Sequence, residues 1–157
     1  MAYASSFFAI VTPAFPKESM KLSGKTFMQV HHVFAVSALL LMVTHAVATW
    51  VSFGTPTVFI PHFQSLKGFL LFGGRVALPL FILTALTARY SRKIPFWRKI
   101  HLLNYFAFIV ATSHAVMIGT DFDSILMRTL AWSMAVFAMA VPAVRHFRRK
   151  RQDPSRG

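Results

Sequence analysis

Four segments of the 157-residue chain are long and apolar enough to cross a bilayer as helices, which takes about 20 residues each. Backbone polar groups inside lipid must be satisfied within the segment, so single spans of this kind fold as α-helices. The sequence therefore predicts an all-α membrane protein built as a four-helix transmembrane bundle. The predicted spans are A (27–51), B (68–90), C (100–119) and D (125–147).

The basic residues predict an orientation for these spans. The chain carries 17 Lys and Arg against 4 Asp and Glu, and most of the cations lie before span A, between B and C, and after D. The A–B and C–D connections contain only Lys67 and Arg128. Lys and Arg collect on the cytoplasmic side of a membrane, so both termini are predicted to be cytoplasmic and spans A and C to run parallel. The pattern indicates membrane lipids, and not nucleic acid, as partners of these charges.

The remaining segments are short. Residues 1–26 are predicted to form an N-terminal interfacial segment, because their apolar run is too short to span and is interrupted by Pro13 and Pro16. Residues 27–147 form the predicted transmembrane domain, and residues 148–157 a basic cytoplasmic tail. The chain has no cysteine, which excludes disulfides, iron–sulfur clusters and covalently attached haem.

Four of the seven histidines form a paired pattern. His31 and His45 are 14 residues apart in span A, and His101 and His114 are 13 apart in span C. At about 1.5 Å per residue, each pair is separated by about 20 Å, with one ring near each edge of the hydrocarbon core. Because spans A and C are predicted to be parallel, His31 lies level with His101, and His45 with His114. The histidines of the outer loop and the tail, His62 and His146, are predicted to be ordinary interfacial residues.

The pairing also depends on the angle between the two histidines around each helix axis. A separation of 14 residues rotates a helix by a net angle of about −40°, so His31 and His45 share a face. A separation of 13 leaves about −140°, so span C must be tilted, locally wound differently, or present its ligands from opposite flanks. His32 lies 13 residues before His45 and is the alternative ligand in span A, although the angle favours His31.

Two facing pairs of imidazoles predict two b-type haems, each with both axial positions filled by histidine. Such iron is suited to electron transfer and has no open position for a substrate. A metal ion held by protein ligands alone would need them within one small shell and not about 20 Å apart. Two other interpretations remain open. Chlorophyll-type magnesium takes a single axial His, and intramembrane His residues also serve as hydrogen-bonded packing residues.

Two arginines are candidate partners of haem propionates. Arg75 lies inside span B, about 10 Å from its outer end, where a charge is costly and usually functional. It is predicted to pair with a propionate of the outer haem. The alternatives are snorkelling to the interface, or a shorter helix that starts at Gly73 and Gly74. Arg98 precedes span C, where propionates of the inner haem would emerge, although the cytoplasmic excess of cations also accounts for its position.

The residues around the four histidines resemble a known family. The stretch HHVFA at 31–35 that leads to TH at 44–45 resembles the first haem helix of the ferric reductase-like transmembrane domain family. The stretch WRKIH at 97–101, followed by Tyr105 and by SH at 113–114, resembles the second haem helix. The family includes the membrane cores of NADPH oxidases and metalloreductases and the haem subunit of bacterial methionine sulfoxide reductase systems.

The resemblance implies that the chain passes electrons across a membrane, expected to be the bacterial inner membrane, through two stacked haems b. Members typically have six spans, and the oxidases and metalloreductases add a flavin and nicotinamide domain. This chain has four predicted spans and no Gly-rich dinucleotide loop, so no catalytic residue is predicted. We expect a subunit of a larger complex, with other membrane subunits and a redox partner protein or quinone, and not a complete enzyme. The alternatives are a quinone-reactive cytochrome b and a pigment-binding or structural subunit of a photosynthetic or respiratory complex.

Overall fold

A computed structural model of the chain describes residues 1–61 and 63–152, with the backbone alone for residues 145–152. His62, the His146 side chain and residues 153–157 of the predicted tail lie outside the described residues. Within the described ranges the regular structure is entirely helical, which confirms the predicted all-α class. The helices are α1 (Ala2–Val11), α2 (Pro16–Ser23), α3 (Phe27–Phe53), α4 (Leu66–Leu71), α5 (Gly74–Arg89), α6 (Trp97–His101), α7 (Leu103–Ile118) and α8 (Ile125–Gln152), with 3₁₀ turns at Thr12–Ala14, Pro56–Phe59 and Thr120–Phe122.

Three helical segments are long and apolar enough to cross a membrane, namely Phe27–Phe53, Trp97–Ile118 and Ile125–Val144. They correspond to predicted spans A, C and D, and they identify the chain as an integral membrane protein. Local sequence explains the ends of α3. Thr26 and Gln29 form a capping box at its start, and Gly54 adopts a left-handed conformation with φ +64° at its end.

Predicted span B is divided into two helices, α4 and α5, which are separated at Phe72 and Gly73. Neither piece alone has the length of a span. The division occurs where the chain approaches α7 so closely that a Cβ atom on Gly73 would lie 2.8 Å from the Val110 carbonyl oxygen. The sequence left open a shorter helix that starts at Gly73 and Gly74, and α5 begins at Gly74. The structure thus has three continuous candidate spans, and the count of four stays a prediction.

The winding of the third span changes at Leu102, between α6 and α7. The Leu102 N–H donates to the Lys99 carbonyl at 3.2 Å, and the Tyr105 N–H donates to the Leu102 carbonyl at 3.1 Å. These three-residue steps are of 3₁₀ type, which rotates the chain by about 120° per residue instead of about 100°. The extra rotation moves His101 and His114 toward a shared face. Local rewinding was one of the three arrangements that the sequence left open.

The N-terminal helix α1 packs against α3, α7 and α8. The Tyr3 hydroxyl donates to the Ala131 carbonyl at 2.8 Å and accepts from the Thr112 hydroxyl at 3.1 Å. Its ring stacks on that of Phe108, with centroids 5.0 Å apart. The sequence placed residues 1–26 at the interface, and these contacts inside the bundle were not predicted.

The direction of α1 bears on the predicted topology. The ring of Tyr3 meets that of Phe122, between α7 and α8, at 5.7 Å, whereas Ala9 lies against His31 near the start of α3. The helix therefore runs from the α7–α8 end of the bundle toward the end where α3 begins. The cytoplasmic placement of both termini is not confirmed by this arrangement.

Candidate cofactor site

The rings of His31 on α3 and His101 on α6 are neighbours, with centroids 6.3 Å apart and planes inclined by 66° in an edge-on arrangement. A metal–imidazole bond is about 2 Å long, and the ring itself adds roughly 1 Å on each side. Two imidazoles on opposite sides of one metal ion would thus have centroids roughly 6 Å apart. The predicted inner pair has this separation.

Backbone carbonyls orient three of the four predicted ligands. The Nδ1 atoms of His31, His101 and His114 lie 2.8, 3.3 and 2.7 Å from carbonyl oxygens. A carbonyl can only accept, so a hydrogen bond to it requires the hydrogen on Nδ1, and in such a neutral ring the lone pair is on Nε2. Metal-bound histidines almost always donate their other N–H in this way, which fixes the tautomer and the ring orientation. The acceptors are Ala9 for His31, Thr84 for His101 and Leu71 for His114.

A cavity of about 490 Å³ lies beside the inner pair. Cofactor pockets in proteins have volumes of roughly 300–1,000 Å³ and are mostly apolar with a few polar groups. This cavity fits that description, because apolar side chains such as Leu39, Met42 and Phe81 line it together with both histidines. The lining suits a large apolar ligand, and the one arginine in it, Arg89, suits an anionic edge on that ligand.

Several residues of this site were not predicted from the sequence. The Asn104 amide nitrogen lies 3.4 Å from each ring nitrogen of His101, and the Thr84 hydroxyl donates to the Asn104 side-chain oxygen. Asn104 follows His101 by one helical turn, so the sequence spacing could have predicted that these two side chains are neighbours. The contact of the Ala9 carbonyl with His31 could not be predicted from the residue type, because every residue has a carbonyl.

His45 and His114, the predicted outer pair, share one neighbourhood. His45 on α3 and Arg75 on α5 both lie near enough to His114 for their charges to interact. His114 is partly buried and rests on Gly74, whereas His45 is exposed. Among the described histidines, the structure brings the rings of the inner pair to a centroid distance of 6.3 Å and the outer pair only into proximity.

The two predicted arginines have other contacts. Arg75 donates from Nη1 to the Ile60 carbonyl at 3.0 Å, and its guanidinium lies 4.4 Å from the centre of the Phe72 ring. Arg98 is exposed, stacks on Trp97 at 5.6 Å and does not line the cavity. The guanidinium that does line it belongs to Arg89, which the sequence assigned only to the cytoplasmic cations.

Within the described part of the chain, no group of three or more His, Cys, Asp or Glu side chains could enclose a metal ion. Two facing imidazoles supply two ligands and leave the rest of a coordination sphere to be filled. A metal held in a macrocycle, whose ring nitrogens provide the other ligands, fits this donor set.

Comparison with known proteins identifies no relative. No family model, curated protein or solved structure matches the chain. The resemblance to the ferric reductase-like transmembrane family therefore stays a prediction that rests on the histidine spacing and the residues around it.

Proposed function

We propose that this chain is the transmembrane electron-transfer subunit of a larger redox complex, a cytochrome that carries two haems b. His31 and His101 are the proposed axial ligands of the inner haem, and His45 and His114 those of the outer haem. The observation that carries the proposal is the pair of imidazoles, one on α3 and one on α6, whose centroids are 6.3 Å apart.

Several contacts of the inner site support a b-type haem there. A bound haem supplies a one-electron iron couple, and the protein sets its ligands and surroundings. If His31 and His101 bind the iron on its two sides, it would have no open position for a substrate. The Ala9 and Thr84 carbonyls lie against Nδ1 of the two rings, and Nε2 of each ring is the proposed iron ligand. Arg89 at the cavity is the proposed partner of a propionate.

The outer site is supported by fewer contacts. His114 has the same tautomer as the inner ligands, because its Nδ1 donates to the Leu71 carbonyl. Arg75, near His114, stays the proposed partner of an outer propionate. The helical rise separates the two sites by about 20 Å along the bundle. A conduit of this length spans most of a hydrocarbon core of about 30 Å.

The proposed ligation of the iron by two histidines also determines which electron-transfer partners are proposed. Electrons must arrive from a redox partner protein or a quinone and leave by contact at a haem edge, since no substrate can bind the iron. Other membrane subunits and lipids are proposed to cover the apolar surface, which includes exposed residues such as Val36, Leu40 and Val136. The proposed location is the bacterial inner membrane.

The absorption spectrum of the purified chain tests this function. We expect a reduced-minus-oxidised spectrum of six-coordinate, low-spin b-type haem, because both axial ligands are imidazoles. The haem should be removable by acidic organic solvent, since the chain has no cysteine to attach it covalently. A spectrum of a magnesium tetrapyrrole, or no chromophore at all, would support the pigment or structural alternative.

The proposed topology has four spans, with α4 and α5 together forming the second. It places every Lys and Arg on the cytoplasmic side except Lys67, Arg75 and Arg128. A green fluorescent protein fused after residue 157 should therefore fluoresce, and alkaline phosphatase fused there should be inactive. Alkaline phosphatase inserted after Gly54, in the predicted outer loop, is the matched control and should be active. The reverse pattern would invert the assignment of inner and outer sites.

A further inference from the structure

The interruption between α4 and α5 removes one carbonyl from the helical ladder. In a continuous helix the Arg75 N–H would bond the Leu71 carbonyl, four residues earlier. Here that N–H donates to the Phe72 carbonyl at 3.0 Å. The Leu71 carbonyl instead accepts the hydrogen of His114 Nδ1 at 2.7 Å. A carbonyl inside a membrane has no water to bond, so this bond satisfies the carbonyl while it orients the ring.

Gly74 supplies the second contact with the same ring. A Cβ atom on Gly74 would lie 2.9 Å from His114 Nε2, 3.1 Å from Cδ2 and 3.3 Å from Cε1. These distances are nearly equal, which puts Gly74 above the face of the imidazole and not in front of the Nε2 lone pair. Any side chain at this position would push against the ring, and only glycine leaves the ring where it is.

We infer that the break from Leu71 to Gly74 positions His114 as an axial ligand, with the Leu71 carbonyl holding the edge of the ring and Gly74 its face. The inference rests on the proposed function and adds positioning residues to it. Gly74 does not bind the haem; it acts through His114. This positioning role explains why a segment that is apolar enough for a full span is divided into two helices inside the bundle.

Gly74→Ala is the variant that tests this inference. Loss of a partner that orients a metal ligand typically lowers metal affinity about 10–100-fold. The purified full-length variant should therefore lose the outer haem during detergent washing and keep the inner one. Two reference variants identify which haem remains: the residual reduced spectrum and midpoint potential should match those of His114→Ala and differ from those of His101→Ala. Added haem should restore the second equivalent in Gly74→Ala, because the ligand is still present, but not in His114→Ala.

The outcomes separate this inference from the proposed function. A wild-type protein without haem contradicts the proposed function, and this inference with it. Two tightly held haems with unchanged potentials in Gly74→Ala contradict the inference alone. Loss of both haems also contradicts it, because the defect would then lie in the packing of the bundle and not at His114.

Discussion

The His31→Ala variant is expected to lose one of the two proposed haems, and His101→Ala the same one. Each change removes a direct axial ligand, so the loss of affinity should exceed the roughly 10–100-fold effect of removing an orienting partner. The haem that stays bound should show one common midpoint potential in both variants, because His45 and His114 are unchanged. Haem content per chain and a redox titration of the purified variants measure this result.

His32 provides the matched control. Its ring centroid lies 5.7 Å from that of His31, and it also lines the cavity, but its ring is not the one that faces His101. His32→Ala should therefore keep both haems. Retention of both haems by His31→Ala, together with loss of one by His32→Ala, would show that the neighbouring histidine is the ligand.

The second large effect is expected at Phe108 in α7. Its side chain is only 1% exposed and packs between the rings of Tyr3 and Phe7, at centroid distances of 5.0 and 6.4 Å. Truncation of a buried Phe to Ala costs roughly 3–5 kcal/mol through lost contacts and the cavity that remains. Phe108→Ala should thus lower the midpoint of thermal unfolding in detergent and loosen α1.

Phe106 is the control for this prediction, because it lies on the same helix but is 49% exposed. Phe106→Ala should change the free energy of unfolding by no more than about 0.5 kcal/mol, as is usual for surface substitutions. Equal shifts for the two variants would contradict the burial of Phe108, to which the contacts of α1 with α7 contribute.

The spans were predictable wherever apolar length alone determines a helix. α3 begins at Phe27 and α8 at Ile125, as the sequence predicts. Two features depend on distant contacts, although the sequence left open a shorter helix that starts at Gly73 and Gly74. The interruption at Phe72 and Gly73 depends on a close approach to Val110, and α1 depends on Tyr3 contacts with residues more than 100 positions away. Neither contact leaves a mark in local composition.

The candidate site was likewise predictable only in part. Spacing on parallel helices predicts that His31 and His101 lie level, and the structure brings their ring centroids to 6.3 Å. The acceptors that orient the rings are backbone carbonyls, whose positions depend on how distant helices pack. Arg89 could be recognised as a cytoplasmic cation but not as part of the cavity, because its distance from His31 is set by the packing of α5 against α3.

The pyridine haemochrome assay on the purified wild-type chain, with protein quantified by amino-acid analysis, tests the central claim most directly. Two histidine pairs on α3 and the α6–α7 span predict a value close to two haems b per chain. A chain that folds as a helical membrane protein and binds no haem would contradict the account.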